Sequence, residues 1–120
     1  MATVEEGTHA AEVVVSEAEN RRSRSVGTLT SGEVVVAGQV LATVTGKYVE
    51  YDSDGAGTTS TATAVALEAV DATAGDLPIV VLDQAAQVNA TKLQFMGDEA
   101  APESSYPDLE ALGIRVRTGV

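Results

Sequence analysis

Four groups of side chains in this sequence have residue types that could do chemistry. Asp52-Ser53-Asp54-Gly55 sets oxygen-bearing side chains at alternate positions ahead of a glycine, as a calcium loop begins, because a hard cation needs oxygens converging on it. The match stops there. The fifth position is Ala56, and the twelfth, where a bidentate Glu would close the coordination, is Thr63, so a solvated turn is expected. His9 is the only histidine, with no patterned serine beside it and no cysteine anywhere in the chain, so no nucleophile–base pair is expected. Asp98, Glu99 and Glu103 share a stretch containing Gly, Ala and Pro, where like charges solvate and repel one another and no raised pKa follows. No enzyme activity, no metal and no cofactor are expected from these groups.

Arg21, Arg22 and Arg24 form the fourth group and carry more weight, since three guanidiniums within four positions are nearly half of the seven bases. A guanidinium donates in pairs to a carboxylate, so the reading favoured over a solvated linker is contact with acidic groups on a protein partner or a neighbouring subunit. Nucleic acid is not the expected partner. Eighteen acids against seven bases give a net charge of −11, and residues 26–120 alone carry thirteen acids and four bases. Such a body repels a polyanion, which is bound by cations that displace its counterions, and an anionic membrane surface is disfavoured for the same reason. No stretch of 18 apolar residues occurs, and Met1 is followed by Thr3, Glu5 and Glu6, unlike a basic secretory leader. Folding in a cytoplasm is expected, and zero cysteines exclude disulfides, thiolate metal sites and thiol catalysis.

These groups need elements to hold them, and 120 residues suffice for one domain with a tail. Eighteen Val and thirteen Thr favour strands over helices. Four aromatics (Tyr48, Tyr51, Phe95, Tyr106) and no Trp imply a thin aliphatic core, of the kind whose stability is shared with a partner subunit. Residues 1–12 lack periodicity and are expected to be disordered in the free chain. Val13-Val14-Val15 is a short β-prone patch whose flanks cannot cover it, which suits a segment that orders against something else. The body is expected to run through strands at Thr28-Leu29-Thr30, Val34-Val35-Val36, residues 40–45 and residues 48–51, with turns at Ser31-Gly32, Ala37-Gly38 and Gly46-Lys47. A loop over residues 52–60 precedes an alternating strand at 61–70. Residues 79–82 read as the most buried strand, followed by short ones at Val88 and at Leu93-Gln94-Phe95. One short helix is expected over residues 106–112, with Pro107 in its first turn and Gly113 ending it, and then a strand Ile114-Arg115-Val116-Arg117 with the arginines outward.

Three blocks of this pattern carry a likeness: Ser16-Glu17-Ala18-Glu19-Asn20-Arg21-Arg22-Ser23-Arg24, Gly38-Gln39-Val40-Leu41-Ala42 and Gly46-Lys47-Tyr48-Val49-Glu50-Tyr51-Asp52. In this order, and continued by Asp71-Ala72-Thr73, residues 79–89 and residues 112–117, they resemble the lambda-type head decoration proteins of tailed phages, over roughly residues 12 to 117. A second likeness is local. Residues 36–44, followed by a turn with Lys47, look like half of a biotinyl or lipoyl carrier domain, but Lys47 is flanked by Gly46 and Tyr48 without a carrier signature, and the matching half is missing.

The lambda-type resemblance implies a mainly β fold, a small β-clip-like domain with one short C-terminal helix and a flexible N-terminal arm. The expected division is an arm over residues 1–25 and a decoration domain over residues 26–120. It further implies a homotrimer on the outer surface of the virion capsid, at threefold and quasi-threefold positions, assembled in the host cytoplasm and bound to the major capsid protein. There the protein would stabilise the expanded shell against the pressure of packaged DNA. Capsid contact is expected from Val13, Val14, Val15, Ser16, Glu17, Arg21, Arg22, Ser23 and Arg24, the valine patch adding a strand to a capsid sheet by β-augmentation. Where Asn20-Arg21-Arg22 stands, a Gly and a single basic residue are more common in the family. On this reading, deletion of residues 1–24 leaves a folded, self-associating body that no longer binds capsids.

Overall fold

The computed structural model describes residues 14–17, 24–55, 57–84, 86–95 and 102–118. Ten strands and one α-helix follow one another along these residues: β1 (Val14–Glu17), β2 (Arg24–Leu29), β3 (Val34–Val35), β4 (Val40–Val44), β5 (Lys47–Glu50), β6 (Ala64–Ala66), β7 (Val70–Asp71), β8 (Leu77–Leu82), β9 (Ala86–Asn89), α1 (Tyr106–Ala111) and β10 (Ile114–Arg117). The protein is a small, mainly β domain with one short C-terminal helix. Strands β2, β5, β4, β6 and β8 close into a barrel, β1, β9 and β10 form a three-stranded sheet in that order, and β3 pairs with β7 as a two-stranded ribbon. No helix among the described residues is long and apolar enough to cross a membrane.

Local chemistry explains the joints. The β4–β5 hairpin turns on Thr45 and Gly46, both at positive φ (54° and 80°), the two-residue geometry whose twist matches that of paired strands. The turn therefore lies one residue before the expected one, and Lys47 opens β5 opposite Val44. Pro107 sits in the first turn of α1, where its missing N–H costs no helical bond, and Gly113, at φ 83°, takes the chain out of the helix into β10.

Alternation along the barrel strands produces two cores. Residues on a barrel strand face in and out by turns. Leu29, Leu41, Ala64, Ala66, Ile79 and Val81 form one buried cluster with Val35 and Ala72 of the ribbon, and these line the interior. Their neighbours Val40, Val65 and Leu82 join Val88, Leu109 and Ile114 in a second cluster, between the barrel wall and the C-terminal layer of β9, β10 and α1. Strand β6 is thus buried on both sides. This is why the expected alternating strand over residues 61–70 fails: Ala64, Val65 and Ala66 are all buried, and the chain then breaks pairing and re-forms as β7 beside β3. Leu93-Gln94-Phe95 forms no strand, only a single parallel bridge between Gln94 and Gln39, with Gln94 N donating to Gly38 O at 2.8 Å.

One glycine is set by a side chain. A Cβ at Gly27 would lie 2.4 Å from Cε2 of Tyr48, whose ring lies against this part of β2. Burial pushes the Tyr48 phenol above its ordinary pKa, and the Asp83 carboxylate adds to the rise. Gly27→Ala is expected to destabilise the protein by about 1–3 kcal/mol in urea unfolding, because the ring must move. The loss should shrink in a Tyr48→Ala background, and an equal loss there would show that the ring is not the cause.

Candidate functional site

The expected contact residues separate into three sets. Val14–Glu17 forms a strand of its own, with its backbone paired antiparallel to β9 in the register Val14↔Val88, Ser16↔Gln87 and Glu17↔Ala86, and a bulge between Val14 and Ser16. Val14 is half-buried and packs on the second core. Arg24 is half-buried at the start of β2, opposite Leu82 in the barrel. Val13, Arg21, Arg22 and Ser23 lie outside the described residues.

Two readings are corrected by this arrangement. From Val14 onward the valine patch does have a pairing partner within the chain, β9, which lies about seventy positions further on and so escapes any inspection of the flanks. Barrel pairing also begins at Arg24, so Arg24 and Ser25 belong structurally to the body. Strand β1 stands at the outside of the β1-β9-β10 order, and an edge strand presents unpaired backbone donors and acceptors to another chain.

The other chemical groups resolve into local structure. Asp52 Oδ1 accepts from Asp54 N at 3.0 Å and Asp52 O from Gly55 N at 2.9 Å, a self-bonded turn. No cluster of three His, Cys, Asp or Glu suited to a metal occurs among the described residues. Lys47 is no hairpin tip. Its Nζ donates to Asp76 Oδ2 at 2.5 Å, and this bond, followed by the one from Ser31 N, holds the Asp76 carboxyl below its ordinary range. Such a carboxylate favours the folded state at neutral pH, and the contribution is lost as pH falls through its lowered pKa. At an exposed pair the effect is small. Asp71 is held down in the same way by the Thr73 hydroxyl and then by Thr73 N. Glu103 lies exposed in the 3-10 turn Pro102–Ser105; His9, Asp98 and Glu99 lie outside the described residues.

Sequence reasoning missed the groups that fasten the layers. Tyr51 is 1% exposed, hydrogen-bonds to the Ser104 hydroxyl and meets Phe95 edge-on, with ring centroids 6.3 Å apart. Asp108 Oδ2 accepts from Ala62 N at 3.0 Å, tying α1 to the segment that leads into β6. Buried Gln39 donates from Nε2 to Glu50 Oε2 at 3.3 Å. Nor did it single out two exposed valines: Val26 is 72% and Val34 51% exposed, in strands β2 and β3.

With this geometry in place, comparison with protein families is decisive. The family model for bacteriophage lambda head decoration protein D matches residues 3–114. The chain belongs to this family. A search among curated proteins finds no match. Lambda-type head decoration proteins are structural proteins of the phage capsid, and membership of a structural family sets aside the carrier-domain reading of Lys47, already at odds with its place in a strand and its pairing to Asp76. The match takes in β1, the barrel and α1 as one unit, reaching from the N-terminal residues to the first residue of β10.

Proposed function

We propose that the protein binds the exterior of an expanded icosahedral phage capsid as trimers at threefold and quasi-threefold positions, where it holds neighbouring capsid subunits together against the pressure of packaged DNA. The observation that carries this reading is the family match over residues 3–114, which spans the N-terminal segment and the body together. The mechanism needs no bond making. A ligand that binds only the assembled shell stabilises it by mass action, and three arms on one trimer make attachment multivalent, so weak contacts add to tight holding.

In this proposal the segment before the barrel, residues 1–23, carries the capsid contact, and the body, which begins with barrel pairing at Arg24, carries the self-association. Since β1 is paired to β9 on one side, the capsid strand is taken up on its other edge, or by the residues before Val14, and Arg21 and Arg22 pair with capsid carboxylates. Mixed with undecorated expanded capsids, the protein is expected to co-sediment to saturation at a fixed number of copies per shell and to raise the temperature of capsid disruption. Replacing Arg21 and Arg22 by Ala should weaken binding and flatten its salt dependence. Failure of the intact chain to co-sediment with expanded capsids at any salt concentration would refute the proposal.

A further inference from the structure

The outer face of β2 and β8 carries an apolar step that the fold leaves open. Val26 stands opposite Val80, and Arg24, two positions before Val26, shares its face of β2. Arg24, Ser25, Val26 and Val80 line a groove of about 440 Å3. A valine 72% exposed in the middle of a strand paired along its length to β8 buries little of its side chain in its own fold. The ribbon beyond the other end of β2 presents a matching pair. Val34 is 51% exposed and stands directly opposite Asp71, also exposed, so the two side chains leave the same face of the ribbon. Each patch is one valine beside one charge, and the charges are of opposite sign. The first patch lies in the first half of β2, and the chain reaches the second only after β2 has ended at Leu29.

From this we infer that the Arg24–Val26 groove receives the Val34–Asp71 ribbon of a second copy of this chain, valine against valine and guanidinium against carboxylate. Because two different patches meet, the contact is heterologous, and a rotation of one third of a turn closes it into a ring of three with no face left over. Asp71 is suited to the role. Both of its hydrogen bonds, from Thr73 N and Thr73 Oγ1, fall on Oδ1, and they keep the group ionised into acid. Arg24 already has an interaction within its own chain, and a guanidinium with five donors serves two partners. Glu68, whose Oε2 accepts from Val80 N, approaches β8 from the β6 side, across the strand from Arg24.

The inference rests on the trimer proposed above and assigns its interface, so the test separates the two. The chain has no cysteine, which makes engineered pairs unambiguous. Val26→Cys combined with Val34→Cys, oxidised both free at high concentration and bound to expanded capsids, is expected to give covalent species up to the trimer and none larger, while either single variant stays monomeric on a denaturing gel. In the uncross-linked protein, Arg24→Glu and Asp71→Arg should each weaken self-association at least tenfold, read by native mass spectrometry, and the double swap should restore it. Trimers by native mass whose double-cysteine form does not cross-link, or single variants that dimerise as readily, would overturn this interface and leave capsid decoration standing. Absence of any self-association, free or on shells, would overturn the interface and the trimer together, and co-sedimentation of the intact chain reports on decoration independently.

Discussion

Leu109→Ala is expected to lower the stability of the protein by about 2–5 kcal/mol, a large part of the roughly 5–15 kcal/mol that a domain of this size possesses. Leu109 is completely buried and is the one buried residue of α1. It enters the second core beside Tyr51, Val65, Val88 and Ile114, where the barrel wall meets the C-terminal layer. Deleting its isobutyl group removes transfer free energy and leaves a cavity, which a helix held by Pro107 at one end and by the Asp108–Ala62 bond cannot readily collapse into. Thermal unfolding should report a midpoint lower by roughly 10 °C or more. Glu110→Ala, at an exposed position on the same helix, should change it by no more than a degree or two. Equal effects at the two positions would mean that α1 is not anchored through its buried face.

How much of this was legible in the sequence depends on the range of the physical cause. Where it is local, the reading held: Gly113 and Pro107 bound the helix, the β4–β5 hairpin lies within one residue of its expected turn, and Ile114 packs inward while Arg115 is exposed. The failures are non-local. Residues 61–70 do show an alternation of residue types, but alternation implies a solvent-facing side only if nothing lies there. Here the C-terminal layer covers the outside of β6, and Val65 is as buried as the alanines that flank it. The converse holds at Val26 and Val34, apolar residues of strands that stand open to solvent, with no layer among the described residues packed over them. Composition could not distinguish these cases, since both are runs of Val and small residues. The chemical groups fared similarly. The Asp52 turn was readable because its bonds lie within three positions, whereas the Lys47–Asp76 pair and the Asp108 tie to Ala62 link residues 29 and 46 positions apart.

The pairing of β1 with β9 changes what truncation of the arm should do. Removing residues 1–12 takes away none of the described elements and none of the expected contact residues, so the shortened protein is expected to keep its unfolding midpoint within about two degrees, and any loss of capsid affinity measures what the residues before Val13 add to the contact. Removing residues 1–24 is different. It strips β1 from the edge of β9, uncovers the part of the second core on which Val14 packs, and deletes the first residue of β2. The backbone of β9 then loses one of its two neighbours, and a midpoint lower by several degrees is expected in place of an undisturbed body. Val14→Asp should reproduce much of this loss by itself, because a carboxylate set half-buried against an aliphatic core is desolvated at a cost of a few kcal/mol. Glu5→Ala should do neither. Two measurements on each variant, thermal unfolding and co-sedimentation with expanded capsids, separate the roles: the shorter deletion leaves the fold untouched and any effect it has is on binding alone, while the longer one and Val14→Asp act on both. Normal decoration by the protein lacking residues 1–12 would place the capsid strand on the open edge of β1, normal decoration by the protein lacking residues 1–24 would refute the arm's role, and an unchanged midpoint after removal of residues 1–24 would show that the β1–β9 pairing contributes nothing to the fold.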